Sequence, residues 1–174
     1  MKLDDAKELF RSLTVAFFPD YEVVLARQSR SAKPEIPLVQ ITFGNVKRSV
    51  HAVENVDEGI VEGQFQARVA VTVDLFTKGK AVTENGLTVY ENSAVGELLS
   101  YCDYLNSVET IDWAARNNLA VLTEGDAQDV TGIVNDNNYE YRARQELFLY
   151  YTHDAGTDYS NKWYFTEAEA SEEE

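Results

Sequence analysis

Two histidines and one cysteine set the limits of any side-chain chemistry in this chain of 174 residues. His51 sits in a polar stretch, and His153 ends a β-prone run beside Asp154. Neither has a cysteine near it, so a zinc site would need carboxylates gathered by the fold. Both read as ordinary surface histidines. Cys102 falls on the apolar stripe of a helical segment, where a thiol behaves as a small hydrophobe. A nucleophile would want a lowered pKa and a histidine partner. Asp126, Asp129 and Asp136 crowd one connection and could attract a hard cation. The calcium-loop pattern of acids at alternate positions with a closing glutamate is missing there. There is no glycine-rich phosphate loop and no G-x-S-x-G elbow. With 30 acidic residues, paired carboxylates are too common to mark a site. No catalytic, cofactor-binding or metal-ligating set is assigned.

The residues that do stand out suit contacts instead. Tyr139, Tyr141, Arg142 and Arg144 open the last long strand-like run, and Tyr and Arg are enriched at protein interfaces. A solvated strand face with cross-strand ion pairs is the competing reading of the same four residues. Lys47, Arg48 and His51 fall in the polar stretch 45–61 and are further candidates for subunit contacts. Around them the chain is strongly acidic, 30 acids against 15 bases, for a net charge of -15. Such a field repels phosphate backbones and opposes sequence-specific DNA binding. It also keeps a protein soluble. A single cysteine permits no intrachain disulfide and fits folding in a reducing compartment. The opening MKLDDAKELF is too acidic for a signal peptide. No run approaches the roughly 20 apolar residues of a membrane span.

The elements that must position these residues are legible from periodicity. Leu3, Ala6, Leu9, Phe10, Leu13, Ala16 and Phe17 recur at helical spacing, with Asp4 and Asp5 at the positive end of the dipole and Pro19 at the stop. Tyr21 to Ala26 is a short β-prone run. Pro34 and Pro37 stiffen an extended approach to a strand over residues 38–44, and Pro37 sits where a missing N–H is tolerated. Residues 45–61 are expected to be a long polar loop, functional or disordered. Residues 64–76 alternate apolar and polar and form the clearest strand. A second polar loop is expected over 77–92. Residues 93–106 form a helix capped by Asn92 or Ser93. Ser107 caps a shorter one that Asn117-Asn118 ends. Leu119 to Leu122 is a short strand, residues 123–138 a turn-rich connection, and 139–152 a long strand. This order predicts an α+β domain, a mainly antiparallel sheet with an N-terminal helix and a central helix pair packed on one face. The domain is expected over residues 1–160, followed by an acidic tail over 161–174.

The helix, "PEIPLVQITF", the following polar stretch and "GQFQARVAVTVDLF" together resemble the neck or tail terminator proteins of tailed bacteriophages. The central helix pair and "DVTGIVNDNNYEYRARQELFLYYTHD" continue the resemblance over roughly residues 3–154. The resemblance implies a virion structural protein without a catalytic motif. It implies a ring, commonly a hexamer, that caps the tail tube and joins it to the head. The implied partners are the tail tube protein, head–tail connector or neck proteins, and the sheath where one exists. DNA would pass through the lumen without specific binding. Another connector or tube component is the alternative within the same setting. A monomeric binding module and a small hydrolase are the alternatives outside it.

Overall fold

The computed structural model describes residues 1–26, 35–49, 53–57, 60–135 and 138–154, with the backbone alone at 53–57, 60–63, 134–135, 138–139 and 154. The chain runs α1 (Leu3–Phe17), β1 (Glu22–Leu25), β2 (Leu38–Arg48), β3 (Val53–Asp57), β4 (Ile60–Thr77), β5 (Lys80–Glu84) and β6 (Leu87–Glu91). It continues through α2 (Ala94–Leu105), α3 (Val108–Arg116), β7 (Leu119–Asp129), β8 (Gly132–Asn135) and β9 (Asn138–Asp154). The expected α+β architecture is the observed one.

Its spine is the antiparallel pair β4 and β9, 18 and 17 residues long. Their register runs from Gln64 opposite Asp154 to Thr77 opposite Tyr141. The main sheet has the order β1-β2-β4-β9-β7, with β3 added to β4 and β8 added to β9. Among the described residues only β1 and β2 pair in parallel. Along the outer edge of β4, β2 ends with Arg48 opposite Ala67, and β3 resumes with Val53 opposite Gln64. Along β9, β7 gives way to β8 in the same manner. Each long strand is therefore lined by two shorter ones laid end to end.

The pleat sorts the side chains. On one face Val39, Ile41, Val69, Val71, Val73, Leu75, Leu147 and Leu149 are buried beneath the three helices. Ala6 and Phe10 of α1, Leu98, Tyr101 and Leu105 of α2, and Ala114 of α3 complete this core. Phe10 meets Phe43 edge to face at 6.2 Å. Phe17 and Phe18 pack on Tyr101 at 5.4 and 5.2 Å. The Tyr101 hydroxyl shares a 2.8 Å hydrogen bond with Thr14, which in turn donates to the Phe10 carbonyl. Burial raises the Tyr101 pKa and keeps the hydroxyl neutral. At the margin of the layer Tyr21 donates to Glu97, and its pKa is pushed up to about 12 by burial first and by that bond second.

Caps act where side chains can reach. Ser107 accepts from the Thr110 amide at the start of α3, as expected. At α2 the oxygen of Asn92 accepts from the Ala94 amide, whereas Ser93 donates to Glu97 instead. Asn118 follows α3 at φ 54°, the left-handed stop expected there.

Three expectations are corrected. The described residues of 45–61 are mostly strand rather than loop: β2 continues to Arg48, and β3 pairs antiparallel with β4. Residues 77–92 carry a second sheet, the hairpin β5–β6. Its Asn85-Gly86 turn has φ 51° and 79°, the mirror-image turn that matches strand twist. Residues 123–135 are also mostly strand. β7 passes a bulge between Glu124 and Gln128, whose free carbonyls at Glu124 and Gly125 accept from the buried Gln145 amide. β2 beyond Phe43, the β5–β6 hairpin and β7 beyond Thr123 are exposed for much of their length, so no buried stripe announces them. The expected acidic tail, residues 161–174, lies outside the described residues.

Candidate assembly surface

The four residues that opened the last strand do not form one patch. Alternation places Arg142 and Arg144 on the sheet face away from the helices and Tyr141 on the other. Between the two arginines lies a carboxylate that sequence reasoning left unremarked. Asp74 is only 2% exposed. Its Oδ1 accepts from Arg142 Nη2 at 2.9 Å and from Arg144 Nε at 2.9 Å, and its Oδ2 accepts from Arg144 Nη2 at 3.2 Å. The hydrogen bond and the charge of Asp74 raise the pKa of the Arg144 guanidinium. Arg142 also stacks on Phe76 at 4.8 Å. Phe76, Val24 and Leu38 are buried in a small second cluster that closes this end of the outer face. The strand over 64–76 is therefore not half solvated throughout. Asp74 and Phe76 are buried on the face away from the helices.

Tyr141 serves another element. Its hydroxyl donates to the Tyr90 carbonyl at 2.8 Å and ties the β5–β6 hairpin to β9. Gly79 begins this hairpin at φ 83°, and a Cβ there would come within 2.7 Å of the Tyr141 ring. Leu87, Val89 and Tyr90 of the hairpin remain 70%, 44% and 56% exposed. Tyr139 pairs with Ile133 through the backbone. Lys47 lies opposite Arg68 on the outer face, and Arg48 covers the Phe65 ring at 4.6 Å. Both belong to a strand rather than to a loop. His51 and Asp136 lie outside the described residues.

The outer face beyond Asp74 is open, since the helices all pack on the opposite side. Its middle carries Arg68 stacked on Phe148 at 4.2 Å, with Tyr150 next to Phe148 and Leu122 53% exposed. The alternation of β4 and β9 could have marked these side chains as outward. The pairing register that brings Arg68 to Phe148 could not be read from either strand alone.

The residues that could have done chemistry are placed otherwise. Cys102 is buried on α2, and burial pushes its thiol up to about 11, away from nucleophilic use at neutral pH. His153 stacks edge to face on Tyr151 at 6.3 Å, with its Nδ1 closed off from water. Asp129 accepts from the Thr131 amide at 2.9 Å and from Asn92 at 3.0 Å, tying the turn between β7 and β8 to the start of α2. These bonds hold its carboxyl below the usual range. Among the described residues no three histidine, cysteine or acidic side chains gather as a metal site.

Comparison with known families decides what kind of protein this fold makes. The family model described as phage neck terminator protein matches residues 4–168. The chain belongs to the phage neck terminator family. This terminator protein is accordingly structural and not an enzyme, and membership places it in the virion, at the neck. The match reaches beyond residue 154, where the resemblance read from sequence ended, and takes in Trp163, Tyr164 and Phe165. No curated protein matches the terminator sequence.

Proposed function

We propose that this chain forms a closed ring, with six copies as the expected number, that caps the tail tube and joins it to the head connector while DNA passes through the lumen. The observation that carries the reading is the placement of hairpins at both ends of one continuous ribbon. The β3–β4 hairpin extends β4 past the end of β9, which reaches only Gln64. The β8–β9 and β5–β6 hairpins lie at the opposite end, beside Thr77 and Tyr141. A subunit built in this way offers extended strands to a neighbour on either side along a stack, such as a tube below and a connector above. An isolated two-stranded hairpin is marginal in water, so β5–β6 suits a surface that a partner covers. Six copies of the 19.6 kDa chain would form a species of about 118 kDa. Light scattering of the purified chain, alone and after addition of tail tubes, measures this. A monomer under both conditions contradicts the ring.

A channel must let the polymer move, and each tight phosphate contact would add a barrier to sliding. The net charge of -15 supports a passive lumen. Fluorescence anisotropy with a labelled duplex should detect no binding to the isolated protein at moderate salt. Micromolar or tighter binding that weakens with added salt would overturn this part of the reading. Lys47→Glu and Arg48→Glu would then locate the contact.

A further inference from the structure

Copies that each carry a charge of -15 repel one another, so they can meet only where acidic surface does not face acidic surface. Two patches on opposite sides of this domain meet that condition. The first is the outer stripe of α3. Val108, Ile111, Asp112 and Ala115 follow helical spacing on one face, and all four are exposed. The opposite stripe, Thr110 and Ala114, is the buried one. A surface helix normally turns polar residues outward. Here Val108 is 71% and Ile111 53% exposed, flanked by the exposed acids Glu109 and Asp112. Beside this stripe a groove of about 400 Å³ runs between α1 and α3, walled by Leu13, Ala16, Tyr104 and Trp113 with Glu109 at its edge.

The second patch is the open face of the sheet. Leu122, Phe148 and Tyr150 supply apolar surface there, and Arg68 and Lys47 supply the charge. In a chain with twice as many acids as bases, this face is less one-sided: Lys47, Arg68, Arg142 and Arg144 lie among Glu22, Asp74, Glu124, Glu140 and Glu146, and its open middle beside Phe148 carries Lys47 and Arg68. One patch is apolar with acids at its edge, the other apolar with Arg68 and Lys47 at its centre.

We infer that the α3 stripe of one copy docks on the open sheet face of the next copy, with Glu109 and Asp112 meeting Arg68 and Lys47. The inference rests on the ring reading above and names the surfaces that would close it. Because the two patches lie on opposite sides of the helix-on-sheet layer, the contact is head to tail, the kind that closes a ring by repeated rotation. It also consumes exposed cations at subunit contacts and leaves the acids for the remaining surface, the lumen included.

Charge reversal tests the pairing. Arg68→Glu and Asp112→Arg change exposed or half-exposed positions, and the melting curve of each variant checks that it folds as the wild type does. Each variant alone should fail to assemble at concentrations where the wild type is a ring, a shift of at least tenfold in the assembly midpoint. The double variant should regain the ring. An equimolar mixture of the two single variants should also form rings, now alternating, because each reversed patch finds its reversed partner only on the other variant. Independently, the Ile111→Cys, Leu122→Cys double variant should give an intermolecular disulfide ladder that ends at the size of the ring. If the single variants assemble like the wild type, or no ladder forms while rings persist, this contact is wrong and the ring reading stands. If the wild type stays monomeric, free and on tail tubes alike, the ring reading fails and takes this contact with it.

Discussion

Phe10→Ala lowers stability by about 3 to 5 kcal/mol, the usual cost of deleting a fully buried aromatic ring. Phe10 is 0% exposed and sits where α1 presses on the sheet, against the edge of Phe43. The lost ring leaves a void beside Phe43 in a core whose sheet the long β4–β9 pair holds too rigidly to collapse. Domains have a total stability of about 5 to 15 kcal/mol, so this one change removes a large share of it. A fall in Tm of roughly 6 to 20 °C follows for a chain of this size. A scan of the variant that coincides with the wild type would mean that α1 does not pack on the sheet, and the architecture would be wrong. Leu13→Ala, 5% exposed on the same stripe, should cost about 2 to 5 kcal/mol and separates loss of packing from loss of an aromatic contact.

Asp74→Ala acts through charge instead. It removes the shared acceptor of two guanidiniums and leaves two like charges side by side, with Arg142 on the Phe76 ring. Breaking a buried pair by deleting one partner costs about 3 to 5 kcal/mol. Arg142 and Arg144 are 29% and 37% exposed, so water recovers part of that, and a loss of about 2 to 3 kcal/mol is expected. Asp74→Asn keeps an acceptor oxygen and should lose less than Asp74→Ala. Urea denaturation of the three proteins measures the order. Equal midpoints for the wild type and Asp74→Ala would show that the cluster contributes nothing to holding β4 against β9.

How much of this was legible in the sequence depended on burial. The three helices and the strands β4 and β9 have one buried stripe each, and periodicity exposes such a stripe. Leu119 was read as a strand start for the same reason. The expected loop over 45–61 failed because β2 beyond Phe43 is exposed on both faces, and it is held by backbone pairing to β4 rather than by a core. The β5–β6 hairpin is as exposed, yet its signal was present: Asn85-Gly86 between Ala81-Val82 and Val89-Tyr90 is a hairpin turn with β-prone flanks. The contact residues were half legible. Tyr and Arg at 139–144 stand out in the sequence as contact candidates, but the pleat divides them between two faces. Asp74, the partner that organises the arginines, lies 68 and 70 residues away from them in sequence. The exposed stripe of α3 was visible as Val108 and Ile111. Helical spacing shows that such a stripe exists and not which way it faces.

Whether this terminator is a ring subunit at the neck is tested most directly by a reconstruction of the neck in the assembled virion. The account predicts a closed ring of copies of this fold at the end of the tail tube, with α3 of each copy on the open sheet face of the next and the hairpins of the β4–β9 ribbon reaching the layers above and below. A neck that contains no ring of this chain, or holds it as single copies bound to another protein's ring, would contradict it.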